Sequence, residues 1–169
     1  MKKIAVTAAA LLALGTGSVM AQTPQPADWV TLKFSADIAR PADEAWKKVG
    51  GNDWCGIAKY LAVKGCTINK GKGELGSLRT IITATGSVVE NVVARTSRSY
   101  TYAQPFTPIF YHGTMAIEPA GANRSRLTYE LIWNQAALPD QKARTEAYEG
   151  RKVRFQAAMD KMKAAAEAP

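Results

Sequence analysis

Apolar residues occupy every second position over Trp29–Ile38 (WVTLKFSADI), which puts Val30, Leu32, Phe34, Ala36 and Ile38 on one face. A period of two with polar residues between predicts a half-buried strand. Arg40-Pro41 ends it. Residues 41–49 (PADEAWKKV) then open with proline and two acids ahead of apolar positions, the composition of a helix start. Gly50-Gly51-Asn52 breaks that helix, and a second short one is expected to carry Trp54, Ile57 and Tyr60. From residue 62 the period returns to two. Strands are predicted over 62–69, 75–84, 87–94, 100–103, 109–118 and 126–133, separated by polar or glycine-rich breaks such as Gly71-Lys72-Gly73 and Thr85-Gly86. Connections this short leave no room for crossover helices, so the strands form an antiparallel meander. The tail differs: from Pro139 to Glu167 strong helix formers dominate, and Tyr148, Phe155, Met159 and Met162 fall on one helical face. Arg151, Lys152, Arg154 and Lys161 are assigned to the remaining surface. Gly150 weakens the middle of this helix by about 1 kcal/mol relative to alanine and could mark a bend.

The N-terminus belongs to targeting rather than to the fold. Lys2 and Lys3 precede the apolar run Ile4–Leu14, then Gly15–Ser18 and Val19-Met20-Ala21 supply a break and a cleavage-like end. The run is shorter than the roughly 20 apolar residues needed to span a bilayer. Residues 1–21 are therefore read as a signal peptide, 22–28 as a flexible lead-in with Pro24 and Pro26, and 29–167 as a single domain. Export implies a periplasmic or secreted protein. It also makes an even count of two cysteines, Cys55 and Cys66, a disulfide candidate, the alternative being two buried thiols.

Composition narrows the function classes. The 169 residues are 47% hydrophobic and 21% charged, ordinary for a globular chain that folds without metal or dense disulfides. A single histidine argues against a His-rich metal site, and no metal or cofactor is expected. Gly71–Gly76 reads G-x-G-x-x-G, but a strand rather than a helix follows, so the dinucleotide-binding context fails. The formal charge is +8, or +6 once Lys2 and Lys3 leave with the signal. The cations are scattered over several elements. Nucleic acid is therefore not an expected partner, while transient contact with an anionic membrane surface is compatible with the charge.

The order strand, two short helices, six strands, long helix resembles the START-like (SRPBCC) superfamily, especially its polyketide cyclase/dehydrase and lipid-transport group. The segments that carry the resemblance are Ile38–Trp46 (IARPADEAW), Gly73–Arg79 (GELGSLR), Gly86–Glu90 (GSVVE), Ser99–Tyr102 and Leu127–Trp133. The resemblance implies an α+β helix-grip fold, in which a curved antiparallel sheet of about seven strands wraps the C-terminal helix. It further implies a monomer with a ligand cavity between sheet and helix, lined by Phe34, Ile82, Val88, Val92, Tyr102, Met115, Phe155, Met159 and Met162. An ordinary packed core is the alternative for each. Relatives place polar groups inside such cavities at positions similar to Lys64, Arg79 and Glu90. Glu90 shares a strand face with Val88, Val92 and Ala94, which turns it inward; for Arg79 the choice of face stays open between it and its neighbours Leu78, Thr80 and Ile82. The expected function is binding or carriage of a hydrophobic or amphipathic small molecule or lipid. The alternative is a cyclase, aromatase or dehydratase in which Glu90, His112 or a tyrosine moves protons. No residue is assigned a catalytic role, and His112 is expected to be structural or exposed.

Overall fold

The computed structural model describes residues 27–169; the signal peptide expected at 1–21 and most of the lead-in lie outside the described residues. Strand β1 (Trp29–Ile38) follows the predicted alternation, and Ile38 leads through Pro41 into α1 (Ala42–Val49). Ala42, Ala45, Trp46 and Val49 recur at helical spacing and are all buried; Gly50, at φ +82°, closes the helix in the left-handed conformation that glycine tolerates best. A 3-10 turn (Gly56–Tyr60) comes next. The meander follows: β2 (Gly65–Lys70), β3 (Leu78–Ile82), β4 (Ser87–Thr96), β5 (Ser99–Ala103), β6 (His112–Pro119) and β7 (Ser125–Asn134). A second 3-10 turn (Gln135–Ala137) precedes α2 (Gln141–Glu167), whose first turn is capped by the Asp140 side chain accepting from the Ala143 amide at 2.7 Å.

All seven strands join one antiparallel sheet in the order β1-β7-β6-β5-β4-β3-β2. Because β1 and β2 sit at opposite edges, residues 39–64 must cross the whole sheet, and they do so as α1 and the 3-10 turn, both packed against α2. A disulfide between Cys55 and Cys66, with Cα atoms 5.6 Å apart, ties this crossover to edge strand β2. The core lies between the concave face of the sheet and the Phe155, Ala158, Met159, Met162 and Ala166 face of α2. This is the helix-grip arrangement.

Several boundaries differ from the sequence reading. The strand expected from residue 62 starts at Gly65, because Ala62 adopts a positive φ of 53° and turns the chain before it pairs. The strand expected from residue 109 starts at His112. Residues 104–111 instead form a loop closed by the Tyr111 carbonyl accepting from the Gln104 amide, with Phe110 at φ +46° turned outward and Tyr111 turned inward. The lead-in is pinned by its last residue, since the Asp28 amide donates to Asn134 Oδ1 at 3.0 Å. Helix α2 runs through Gly150 without interruption.

Candidate functional site

Alternation and register decide which side chains face α2. On β3, Arg79 and Ile81 are buried while Leu78, Thr80 and Ile82 point away; Ile82 is 42% exposed and so does not line the interior as expected. Either face of Leu78–Ile82 is apolar enough to go inside. The cross-strand partner settles the matter, because Arg79 lies opposite Glu90 in the β3–β4 register. On β4, Val88, Glu90 and Val92 face inward, but a bulge between Val92 and Ala94 shifts the alternation by one residue. Ala94, expected inside, is exposed. Arg95 takes the inner register beside Tyr100 and donates to the carbonyls of Gly73 (2.6 Å) and Gly51 (3.2 Å).

Arg79 and Glu90 form a buried ion pair, 1% and 4% exposed. Arg79 Nε (2.8 Å) and Nη2 (2.7 Å) both donate to Glu90 Oε2, and Gln104 Nε2 donates to Oε1 at 3.0 Å. Arg79 Nη1 donates to the Trp54 carbonyl, and its guanidinium carbon lies 4.6 Å and 5.3 Å from the ring centroids of Trp54 and Tyr102. Burial is the largest single influence and works against this cation, but the Glu90 carboxylate together with Tyr100, Tyr129 and Tyr102 holds the arginine above its usual pKa. Glu90 is thus already occupied on both oxygens. Lys64, the other cation considered for this role, is exposed at the bend before β2 and makes no ion pair among the described residues.

Beside the pair, Tyr100, Tyr102, Tyr111 and Tyr129 carpet the inner face. Tyr129 Oη donates to Tyr102 Oη at 3.2 Å, and the Tyr102 ring centroid is 6.3 Å from Tyr100 and 6.1 Å from Tyr111. Burial raises all four phenols, Tyr100 to about 12, so they are neutral donors in any physiological medium. Tyr102 pairs directly opposite Gly113, where a Cβ would come within 2.4 Å of its ring; the glycine is what allows Tyr102 to lie flat against β6.

The aromatic rings fill only part of the interior. Toward the β3–β4 turn and the β5–β6 loop a cavity of about 180 Å³ remains, lined by Leu61, Val63, Ile81, Thr83, Val88, Glu90, Tyr102, Gln104 and Tyr111, with Arg151, Arg154 and Phe155 closing it from α2. Of the residues expected to line it, Val88, Glu90, Tyr102 and Phe155 do. Phe34, Val92, Met115, Met159 and Met162 are in the packed core: Phe34 stacks on Phe155 at 6.2 Å between centroids, and Met115 Sδ accepts from Tyr100 Oη at 3.8 Å. His112 lies on the opposite face of β6 from Gly113 and Met115, with Nδ1 2.7 Å from the Phe110 carbonyl oxygen, outside the cavity. The arginines were not foreseen as lining. A signal existed, since Arg151 precedes Phe155 by four residues and therefore shares its face. The cavity tyrosine Tyr111 was hidden by the strand expected from residue 109, which took in the end of the 104–111 loop. A wider depression between Tyr60, Ala62 and the Gly150–Val153 side of α2 is open to solvent, and the buried Tyr60 hydroxyl on its wall has no hydrogen-bond partner among the described residues.

Residues 30–167 match the model of a family described as polyketide cyclase / dehydrase and lipid transport. Among solved structures, the chain is similar to the ZhuI aromatase/cyclase from Streptomyces sp. R1128, at 17% identity and a TM-score of 0.66 over 82% of this chain and 94% of that one. It is also similar to truncated norcoclaurine synthase from Thalictrum flavum (13%, 0.61, 81% and 92%) and to a Thermobifida fusca protein solved by NMR (20%, 0.59, 82% and 97%). These likenesses establish the shared fold. No curated protein matches the sequence significantly.

Proposed function

Since the chain belongs to the polyketide cyclase/dehydrase and lipid-transport family, we propose that it is an exported protein that binds a small hydrophobic or amphipathic molecule between the sheet and α2, without transforming it. The observation that carries this reading is the cavity itself: apolar walls, a few buried polar groups and, among the described residues, no lining carboxylate or histidine besides the paired Glu90. Glu90 is held by Arg79 and Gln104, the tyrosines are locked as neutral phenols, and His112 lies on the other face of the sheet. A base for a cyclisation or dehydration would have to come from one of these. The volume, about 180 Å³, lies below the roughly 300–1,000 Å³ of drug-sized pockets and suits one ring or a short chain better than a folded polyketide. Export is supported by the Lys2-Lys3 start and the Ile4–Leu14 run, and a Cys55–Cys66 bridge suits an oxidising compartment. The test is native mass spectrometry of protein recovered from its own host, followed by organic extraction. A stoichiometric, unmodified small molecule that is lost in Val88→Trp is the expected result. Turnover of an added substrate, abolished by Glu90→Gln in a folded variant, would overturn the non-catalytic reading.

A further inference from the structure

The cavity wall supplied by α2 carries positive charge that the protein does not neutralise. Arg151 is half-buried, its guanidinium carbon 4.8 Å from the Trp133 ring centroid and 5.4 Å from that of Tyr111. Among the described residues its one hydrogen bond is from Nη1 to the Ala147 carbonyl at 2.9 Å. Its Nε is buried without a partner, and so is the indole Nε1 of Trp133 beneath it. Arg154, one turn on, joins the same wall, and neither arginine has a carboxylate within ion-pair distance among the described residues. Burial lowers the Arg151 pKa and the neighbouring Arg154 adds to the effect, which Tyr111 and Tyr102 offset only in part. The contrast with Arg79 is direct: that guanidinium, deeper in the same interior, has Glu90.

Unpaired buried charge is costly unless a counter-charge arrives, and two adjacent buried donors without acceptors raise the cost further. Glu90, the one carboxylate in the lining, is already shared between Arg79 and Gln104 and cannot serve. Resting on the binding reading above, we infer that the ligand is a small monocarboxylate: an apolar body enters between Val88, Ile81 and Phe155, and its carboxylate is received by Arg151 with Arg154. A planar guanidinium fork matches a carboxylate in two hydrogen bonds, so the anion would be recognised by geometry as well as charge. The cavity is slightly larger than the roughly 150 Å³ apolar void known to take up benzene. One aromatic ring or a short aliphatic chain fits that space, and either body can bear the acid.

The test is calorimetric titration of the full mature chain with trans-cinnamate and octanoate, each against its own uncharged amide. The inference predicts that at least one acid binds about tenfold or more tightly than its amide. It predicts that Arg151→Met and Arg154→Met each reduce this preference while the amide's affinity stays within about threefold, and that Arg151→Lys restores only part of it. Arg154 is exposed, so its substitution leaves folding intact should Arg151→Met fail to fold. The acid that binds better identifies the body as aromatic or aliphatic. Acid and amide binding equally, both blocked by Val88→Trp, would overturn the carboxylate inference and leave the cavity reading standing. No binding by any of the four, or binding that survives Val88→Trp, would overturn both.

Discussion

Arg79 and Glu90 are the interior residues whose loss should be felt most. Each is buried and each is the other's counter-charge, so removing one strands the other in a low-dielectric space. Glu90→Gln and Arg79→Met are each expected to cost about 3–5 kcal/mol, the range for breaking a buried pair, and the double variant should cost clearly less than the sum. Denaturant unfolding of the three variants checks this; additive effects under about 1 kcal/mol would mean the pair is solvated. His112→Asn, by contrast, should leave both unfolding and ligand affinity unchanged within error, because its ring bonds to the Phe110 carbonyl on the face of β6 away from the cavity; a loss of affinity measured by the same titration would count against the assigned site. The inward turn of Glu90 was legible from strict alternation with Val88 and Val92. The side taken by Arg79 was not, because it is set by a partner on the neighbouring strand rather than by its own strand's pattern, and Ala94 was misplaced because a bulge leaves no mark in the alternation.

Among the elements, the crossover from β1 to β2 has the most to hold and the least regular structure to hold it with. Strand β2 is an edge strand whose Thr67, Ile68, Asn69 and Lys70 are exposed, so its attachment rests on β3 and on the Cys55–Cys66 bridge. Closing a loop of this length contributes about 3 kcal/mol on the chain-entropy account. Cys55→Ala/Cys66→Ala is expected to lose about that much in denaturant unfolding, and reduction of the wild-type chain should reproduce the loss. An unchanged midpoint on reduction would show that β2 is held by its ladder alone. In α2, Gly150 faces open space and the helix passes through it, so Gly150→Ala should stabilise by up to about 1 kcal/mol in the same assay, whereas destabilisation would show that the glycine is needed for a bend. Among the described residues, element type and order could be read from the period of two in most strands and from the run of strong helix formers after Pro139. Strand starts at 65 and 112 could not, since they depend on positive-φ turns at Ala62 and Phe110, residues that rarely adopt them.

At the scale of the whole molecule, the sheet grips α2 through an interior that is aromatic at one end and partly hollow at the other. The tyrosine carpet couples global stability to alkaline pH. An unfolded chain ionises tyrosine near pH 10, whereas the folded chain keeps these phenols protonated, Tyr100 up to about 12. Their contribution is therefore complete below pH 10 and is lost above it, at about 1.4 kcal/mol per pH unit for each such tyrosine. Unfolding free energies should fall steeply from about pH 10, with phenolate absorbance rising together with unfolding; phenolate appearing near pH 10 in a chain that stays folded would show that the rings are reached by solvent. The grip architecture itself was readable from element order. The position and size of the hollow were not, because they depend on how Tyr102 lies over Gly113 and how far Arg151 reaches from α2. The most direct test of the central claim, that this hollow is the binding site, is a methyl-resolved NMR titration with trans-cinnamate and with octanoate, each beside its amide. The account predicts shifts at Leu61, Val63, Ile81 and Val88, with Ile68, Ile82, Val93 and Val153 on the outside unmoved; shifts confined to the outer set, or none at all, would contradict it.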